Sequence, residues 1–496
     1  MAKSLQELTS LLPNAAVDGD IAIEITSITH DSREVVPGTL FVCLTGAKAD
    51  GHDYIAQARK QGAAAVLVEK PVDDVDGLTV ITVKDTRSAM QITAPAFFDY
   101  PARKMRLIGV TGTNGKTTTT HILRSILSNA GFKVGLIGTI HTLIGDQVFP
   151  MKNTTPDVID LQALLAKMVE EGMDYAVMEV SSHAVALNRI AGCEFDVGVF
   201  TNITRDHLDF HQTFENYIDA KAGLFRHLGA AGSVKTNKMA IINIDDPAGA
   251  VMQANSSCSI MTYGLSEKAS LRAANIHVHA DGVSFSVEGS FGSIPLQLKI
   301  TGIFNVYNVL AAVGAALAEQ VGWPLIKKAL EEFESVPGRF ELVRTGLPFS
   351  IIVDYAHTPD GLENILKTAR EFAIGRILIV FGCGGDRDRT KRPIMGQLAV
   401  KYADIAIATS DNPRTEDPAA ILQEIEVGMK QGETDEKQYE IIIDRKSAIK
   451  RALQLAGKQD IVIIAGKGHE TYQILGNKTI HFDDREMARQ LAQEVV

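Results

Sequence analysis

Twice along this chain of 496 residues, short apolar runs that read as strands alternate with segments whose apolar residues recur at helical spacing. From about 104 to 335 the strand-like runs are RLIGVTG, KVGLIGT, YAVMEVSS, DVGVFTNIT and MAIINIDD, with TTTHILRSILSNAG and FENYIDAKAGLFRHL among the helix-like segments. From about 336 the alternation restarts with FSIIVDYA, RILIVFGCG, ADIAIATS, YEIIID and DIVIIAG. Strand–helix alternation means a mostly parallel sheet covered on both faces. The expected fold is therefore α/β, with a central and a C-terminal doubly wound sheet. Residues 1–103, with LFVCL, AAAVLV and LTVITV between turn signals, read as a smaller α/β domain. Three domains result, 1–103, 104–335 and 336–496, in keeping with roughly 150 residues per domain. ANIHVHADGVSFSVEGS alternates with period two and reads as antiparallel hairpins. GIFNVYNVLAAVGAALA reads as a helix, and PGRFE has the composition of a hinge.

A net charge of -11 argues against a general nucleic-acid or anionic-membrane surface. The apolar stretch from Val309 to Ala318 is too short to span a bilayer and reads as a buried helix. MAKSLQELTSLLP lacks the apolar core of a signal peptide. Cys43, Cys193, Cys258 and Cys383 show no paired spacing, so buried free thiols are expected. All of this fits a cytoplasmic enzyme with no nucleic-acid partner and no membrane insertion; small-molecule substrates and a monomer are expected, although composition does not fix the oligomeric state.

The run GVTGTNGKTTTTHIL joins a strand to a helix through a glycine-containing turn that ends in Lys-Thr. Gly112 and Gly115 let the backbone curl so that the N–H groups from Gly112 to Thr118, through Thr113 and Asn114, form an anion nest. The helix that follows adds its positive end. Lys116 can reach terminal phosphates, and the Thr117 hydroxyl can ligate Mg2+. The common phosphate-loop pattern has a glycine where this chain has Val110.

Metal ligands should lie at the C-terminal ends of later strands, where open α/β sheets bind ligands. Glu179 ends an apolar run in MEVSSH and can hold Mg2+. TRDHLDFH places Asp206, His207, Asp209 and His211 in one short loop; the alternative is a solvated turn. Lys221, in the helix FENYIDAKAGLF, reads by itself as a solvated surface lysine.

TGTNGKTTT, NTTPD, MEVSSH, TNITRDHLDFH, YIDAKAGLF, GIFNVYNVLAA, PGRFE and DYAHTPD occur here in an order that resembles the Mur ligase family of ATP-dependent amide-bond-forming enzymes; DSREVVPGTLFVCL extends the resemblance into the first domain. It implies a UDP-binding N-terminal domain, a central ATPase and a C-terminal domain that closes over the site. It also implies the chemistry: ATP phosphorylates a peptide carboxylate, and an amine attacks the acyl phosphate. Lys116 and Thr117 would serve the phosphates and a first Mg2+ with Glu179, and His207 a second Mg2+. Lys221 matches a lysine that the family carbamylates, which turns an ammonium into a metal-binding anion. Asn305 and Asn308 match adenine-side contacts, although asparagines there could equally satisfy helix N-terminal groups. Arg339 and Asp354 match contacts to phosphate and ribose, with His357 nearby.

Within the family, DNPR (411–414) marks members that add meso-2,6-diaminopimelate. Asp411, Asn412, Pro413 and Arg414 would belong to that site, with Arg387, Gly466 and Glu470. An arginine fork suits the distal carboxylate that lysine lacks. Taken alone, Asn-Pro is also a plain turn signal. The other substrate implied is UDP-N-acetylmuramoyl-L-alanyl-D-glutamate. Ser32 and His30 match its uridine side, near Ala47, Lys48 and Ala49. Asn153, Thr154, Thr155, Ser181 and Arg189 match its diphosphate and peptide. Some members carry glutamine where this chain has Leu187, and that contact is not carried over. The rival readings are a lysine-adding or folylpolyglutamate-type ligase, and a phosphate-loop module that hydrolyses ATP without making a bond.

Overall fold

Each strand-like run named above forms a strand in the structure, a computed structural model that describes residues 2–46, 49–73, 75–151, 153–229, 232–279, 281–432 and 438–495. Ala47 and Lys48 of the expected uridine-side loop lie outside the described residues. The chain forms two units. One comprises Met1–Ile203, His207–Thr262 and Gly314–Val321; the other comprises Thr204–Asp206, Tyr263–Val313 and Gly322–Val496.

The first unit opens with a small sheet of β1 (Ala16–Asp18), β2 (Ser27–Thr29), β3 (Thr39–Val42), β4 (Ala63–Val68) and β5 (Thr79–Thr82), in the order β1-β5-β4-β3-β2. β2 to β5 run parallel, and β1 pairs antiparallel with β5. The second sheet begins with β6 (Arg106–Thr111), which feeds α1 (Lys116–Asn129). Then come β7 (Val134–Ile137), β8 (Thr142–Ile144), β9 (Gln147–Phe149), α2 (Val158–Glu170), β10 (Tyr175–Glu179) and β11 (Val197–Phe200). α3 (Phe214–Leu228), β12 (Met239–Asn243) and β13 (Ser259–Gly264) follow. The order of these strands is β9-β8-β7-β10-β6-β11-β12-β13.

β7, β10, β6, β11 and β12 are parallel and nearly wholly buried. Burial on both faces explains why they read as continuous apolar runs and not as alternating ones. Phe195, Phe200, Leu224, Phe225 and Leu228 share one core. Truncating one of these phenylalanines to alanine should cost about 3–5 kcal/mol. In register, Glu179 lies beside Val110, and Phe200 beside Thr111. The loops after β10, β6 and β11 therefore leave the sheet side by side.

In the second unit, β14 (Leu271–His279), β15 (Gly282–Gly289) and β16 (Gly292–Leu298) form the expected antiparallel meander. α4 (Ile303–Ala318) is the Ala-rich helix, whose residues to Val313 belong to this unit and whose end belongs to the first; Val309 to Ala316 are buried along it. The last sheet contains β17 (Glu341–Leu342), β18 (Ser350–Asp354), β19 (Ile377–Phe381), β20 (Ile405–Ala408), β21 (Gln438–Ile441) and β22 (Ile461–Ala465). Its order is β17-β18-β22-β19-β20-β21, parallel except for β17. PGRFE is thus partly structured, with Glu341 starting β17.

Successive side chains alternate across this sheet. Ile352, Ile379 and Ile463 pack with Leu362, Met395 and Ile425, whereas Ile351, Leu378 and Val462 pack with Ile449 and Leu491. No helix among the described residues is long and apolar enough to cross a membrane. All four cysteines are free; Cys43, Cys193 and Cys383 are buried, and Cys258 is only half-buried.

Candidate active site

The turn between β6 and α1 has the curled backbone that its glycines predict. Gly112 has φ +152 and Gly115 φ +85. A Cβ on Gly112 would lie 1.9 Å from Thr201 Oγ1, so only glycine fits. The end of β11 braces the turn. Thr113 N donates to Asn202 O at 2.8 Å, Asn114 N donates to Asn202 Oδ1 at 3.0 Å, and Thr201 Oγ1 donates to Asn114 O at 2.7 Å. Lys116 Nζ folds back onto Gly112 O at 2.8 Å and Thr113 O at 2.9 Å. Thr117 and Thr118 are buried at the start of α1.

Lys221 is not a solvated surface lysine. It is 1 % exposed, and its ammonium donates to Gly112 O at 2.7 Å and lies 4.6 Å from the Tyr217 ring centroid. α3 presents Tyr217, Ala220, Lys221, Leu224, Phe225 and Leu228 on its buried side, which carries Lys221 under the glycine turn. Glu179 is buried; Thr139 N and Thr139 Oγ1 donate to its two carboxylate oxygens at 2.9 and 3.0 Å.

The DHLDFH segment departs from the single short loop expected. His207 adopts a left-handed backbone (φ 54) and starts a helical turn over Leu208–His211. His207 and Asp209 stay exposed and Asp206 is half-buried, but His211 turns inward, its Nε2 3.0 Å from Ser182 Oγ. The bond to Ser182 gives the buried imidazole a polar partner. His183 packs edge-on to His207, with ring centroids 4.7 Å apart. Burial, and then the neighbouring His207 and His211, press the His183 imidazole down to about 4. Burial does the same to His211 in direction. Neither Thr139 nor His183 was singled out from the sequence. Nothing in spacing marks Thr139, while His183 closes the MEVSSH run.

Beside Glu179 a second cluster gathers. Thr155 Oγ1 donates to Glu179 O at 2.8 Å and accepts from Ser181 N at 3.1 Å, and Arg189 Nη1 donates to Thr155 O at 3.3 Å. Thr154 Oγ1 lies 3.1 Å from Thr139 Oγ1, and Asn153 is exposed. Arg189 Nε is buried with no hydrogen-bond partner among the described residues. His30 and Ser32 stand at the end of β2, where Asp31 caps a helical turn over Ser32–Glu34.

The remaining candidates lie in the second unit. Asn305 and Asn308 are buried and bond inward: Asn305 Nδ2 donates to Thr301 O at 2.8 Å, and Asn308 Nδ2 donates to Asn305 Oδ1 at 3.0 Å. Asn305 thus serves a backbone carbonyl just before α4, while Asn308 bonds the Asn305 side chain rather than the backbone. Arg339 lies 4.9 Å from the Tyr355 ring centroid. Asp354 accepts Phe340 N and Ala356 N, both at 2.7 Å, and loss of water raises its carboxyl above the usual range despite Arg339.

DNPR is not a solvated turn. Asp411, Asn412 and Pro413 are buried, and Arg414 is held in left-handed backbone (φ 52) by bonds from its N to Ile474 O and from Gly476 N to its O. Such strain in a non-glycine residue persists only where the surroundings over-determine it. Arg414 Nη1 donates to Gly385 O at 2.9 Å. Asn412 Nδ2 donates to Glu470 Oε2 at 2.9 Å, and Gly466, with φ +115, passes Asp411 so closely that a Cβ would lie 2.6 Å from Asp411 Oδ2. Arg387 is exposed and bonds only its neighbour Asp386 O among the described residues. No three His, Cys, Asp or Glu side chains among the described residues gather as a ready metal site.

Family models cover most of the chain: "Mur ligase family, catalytic domain" at residues 24–98, "Mur ligase middle domain" at 110–316 and "Mur ligase, glutamate ligase domain" at 338–468. The chain is 50% identical over 467 residues to a UDP-N-acetylmuramoyl-L-alanyl-D-glutamate–2,6-diaminopimelate ligase of Bacillus cereus, covering 94% of each chain. It is 48% identical over 490 residues to the protein of that name from Geobacillus thermodenitrificans, covering 99% of each. A solved structure of a ligase of this name matches with a TM-score of 0.72 at 33% identity, over 100% of this chain and 99% of that one.

Proposed function

The chain belongs to the Mur ligase family, and from that premise we infer that it is an ATP-dependent ligase that adds 2,6-diaminopimelate to UDP-N-acetylmuramoyl-L-alanyl-D-glutamate in peptidoglycan precursor synthesis. The observation that carries the choice of amino acid is the buried DNPR segment, whose Asn412 bonds Glu470 and whose Arg414 is held in strained backbone. A guanidinium and a carboxylate so placed suit the carboxylate and ammonium at the far end of the meso isomer.

A carboxylate is a poor electrophile, and phosphorylation gives it a leaving group. Two anions must first be brought together, which calls for fixed positive charge. Gly112 to Thr118 hold the phosphates of ATP through backbone N–H groups and the positive end of α1. Lys116 exchanges its bonds to Gly112 O and Thr113 O for phosphate oxygens. Mg2+, when bound, supplies further positive charge at the phosphates. Thr117, Glu179 and His207 fit it, because they offer oxygen and imidazole donors, and each Glu179 oxygen spends only one bond on Thr139. Lys221, as a carbamate, would join them.

Asn305, Asn308, Arg339 and Asp354 contact the adenosine and phosphate side. His30, Ser32, Asn153, Thr154, Thr155, Ser181 and Arg189 bind the UDP-dipeptide. Arg387, Asp411, Gly466 and Glu470 complete the amino-acid site. The reading divides the chain into UDP-, ATP- and amino-acid-binding domains at 1–103, 104–335 and 336–496; that three separate family models match in turn supports three parts. The reading includes a cytoplasmic monomer.

The test is to incubate the full chain with ATP, Mg2+, the UDP-dipeptide and meso-diaminopimelate, and to weigh the product. The expected mass is that of the UDP-tripeptide, formed with one ADP per bond. ATP turnover without tripeptide, or equal use of lysine, refutes it. Arg414→Ala should raise the KM for diaminopimelate by a factor on the order of 100 while leaving that for ATP within a few fold.

A further inference from the structure

Lys467 has no exposed surface, although lysine is among the residues least often buried. Its ammonium donates to Asn412 Oδ1 at 3.2 Å and to Glu470 Oε2 at 3.1 Å, and lies 5.5 Å from the Tyr472 ring centroid. Asn412 closes a triangle by donating from Nδ2 to the same Glu470 oxygen, and its Oδ1 also accepts Ile474 N at 3.0 Å.

Two consequences follow from the donor inventory. With two donors on Oδ1, the Asn412 amide has one orientation, so Nδ2 faces Glu470. With two donors on Glu470 Oε2, that oxygen is occupied. Among the described residues none donates to Oε1, and the Glu470 side chain keeps 16% of its surface exposed. One carboxylate oxygen is thus presented to a ligand.

The charges around it balance. Lys467 offsets Glu470 at 3.1 Å, and the same DNPR segment carries one further charge of each sign, on Asp411 and Arg414. Beneath them Arg445 pairs with Asp484, both fully buried, and donates to Ala465 O at 2.9 Å. The exposed Arg387 is screened by water. A neutral wall accepts without charge imbalance an amino-acid end that brings both an ammonium and a carboxylate, one for Glu470 and one for Arg414. A bare ammonium adds an uncompensated charge, which a largely buried site disfavours.

We infer that Lys467 is a positioning and specificity-determining residue: by neutralising Glu470 and fixing Asn412, it makes this site select a zwitterionic amino-acid end over a lone ammonium. The inference rests on the reading that Glu470 and Arg414 receive the distal end of diaminopimelate.

The experiment compares meso-diaminopimelate with L-lysine as acceptor, with tripeptide quantified by mass, for the full-length wild type, Lys467→Met, Lys467→Arg, Glu470→Gln and the Lys467→Met/Glu470→Gln double variant. Lys467→Met should lower kcat/KM for diaminopimelate roughly 30-fold and that for lysine by less than about threefold, so discrimination falls about tenfold. The KM for ATP should stay within about twofold, and Lys467→Arg should keep most of the discrimination. In the Glu470→Gln background, Lys467→Met should change the ratio no further, because the charge it unmasks is gone. Equal losses for both acceptors, or the same relaxation in the Glu470→Gln background, overturn the inference. Undiminished use of diaminopimelate by Glu470→Gln overturns the site reading instead. Lys467→Gln, which drops the charge but keeps a donor, should shift the ratio in the same direction and serves if methionine is not accommodated.

Discussion

Arg392 offers a sharp test of how the amino-acid side is built. It has no exposed surface, and its guanidinium donates to Glu416 at 2.8 and 2.9 Å, to Glu424 at 2.8 Å and to Gly384 O at 3.3 Å. It therefore ties together the two loops that carry Arg387 and Arg414. Arg392→Met removes the buried cation; Glu424 keeps its bond from Arg389, whereas Glu416 is left with the Asp386 N–H. Breaking a buried pair costs about 3–5 kcal/mol. Glu416 and Glu424 are 23% and 29% exposed and regain some hydration, so a loss of about 2–3 kcal/mol is expected. With a urea dependence of about 3 kcal/mol per molar, the midpoint should fall by about 0.7–1 M. Trp323, the chain's one tryptophan, lies in the second unit, so its fluorescence follows that unit's unfolding.

The pH dependence has a definite sign. The bond from Arg392, aided by Asp386 N, holds the Glu416 carboxyl down at about 2, against an ordinary 4.5. A carboxyl depressed in the folded state stabilises fully above its unfolded value and loses that contribution as pH falls toward the folded one. The gap between wild type and variant should be full at pH 7 and narrow below about 4.5. A midpoint unchanged within about 0.2 M at pH 7, or a gap of equal size at pH 7 and at about pH 3.5, contradicts the reasoning. In activity, the KM for diaminopimelate should rise while that for ATP changes little.

Lys221→Ala should lose ligase activity by a factor on the order of 1000, and short carboxylates such as formate should restore part of it if a carbamate is the working form; no rescue at any concentration removes that role. Gly112→Ala, whose methyl would meet Thr201 Oγ1, should cut ATP turnover at least tenfold while the fold survives; wild-type turnover would mean that the brace yields freely. Burial pushes the thiols of Cys43, Cys193 and Cys383 up to about 12, so a thiol reagent at pH 8 should modify at most Cys258 in the native protein and all four cysteines in urea. More than one native equivalent contradicts the packing described.

Some of the site was open to reading from the chain alone, and Lys221 shows where such reading stops. Its spacing from Tyr217, Leu224, Phe225 and Leu228 places it on the apolar stripe of α3, which period 3.6 makes visible. The usual preference of lysine for the surface pointed the other way, and the Gly112 carbonyl that meets the buried ammonium lies 109 residues upstream. Glu179 was readable because it ends an apolar run, and parallel strands deliver such residues to one edge. His211 was not, because the hydroxyl that draws it inward belongs to Ser182, on a different loop.

The sequence by itself determined the parallel α/β layers and the glycine turn before α1. Both are local: a period of apolar residues or a φ that glycine alone adopts acts over a few positions. The tertiary structure decided which groups meet. Asn412 and Lys467 stand 55 positions apart, and Asn412 and Glu470 58 apart, yet their bonds settle which oxygen of Glu470 faces outward. No local pattern encodes such a meeting, because it exists only once β19, β20 and β22 lie in register and bring their following loops to one edge of the sheet.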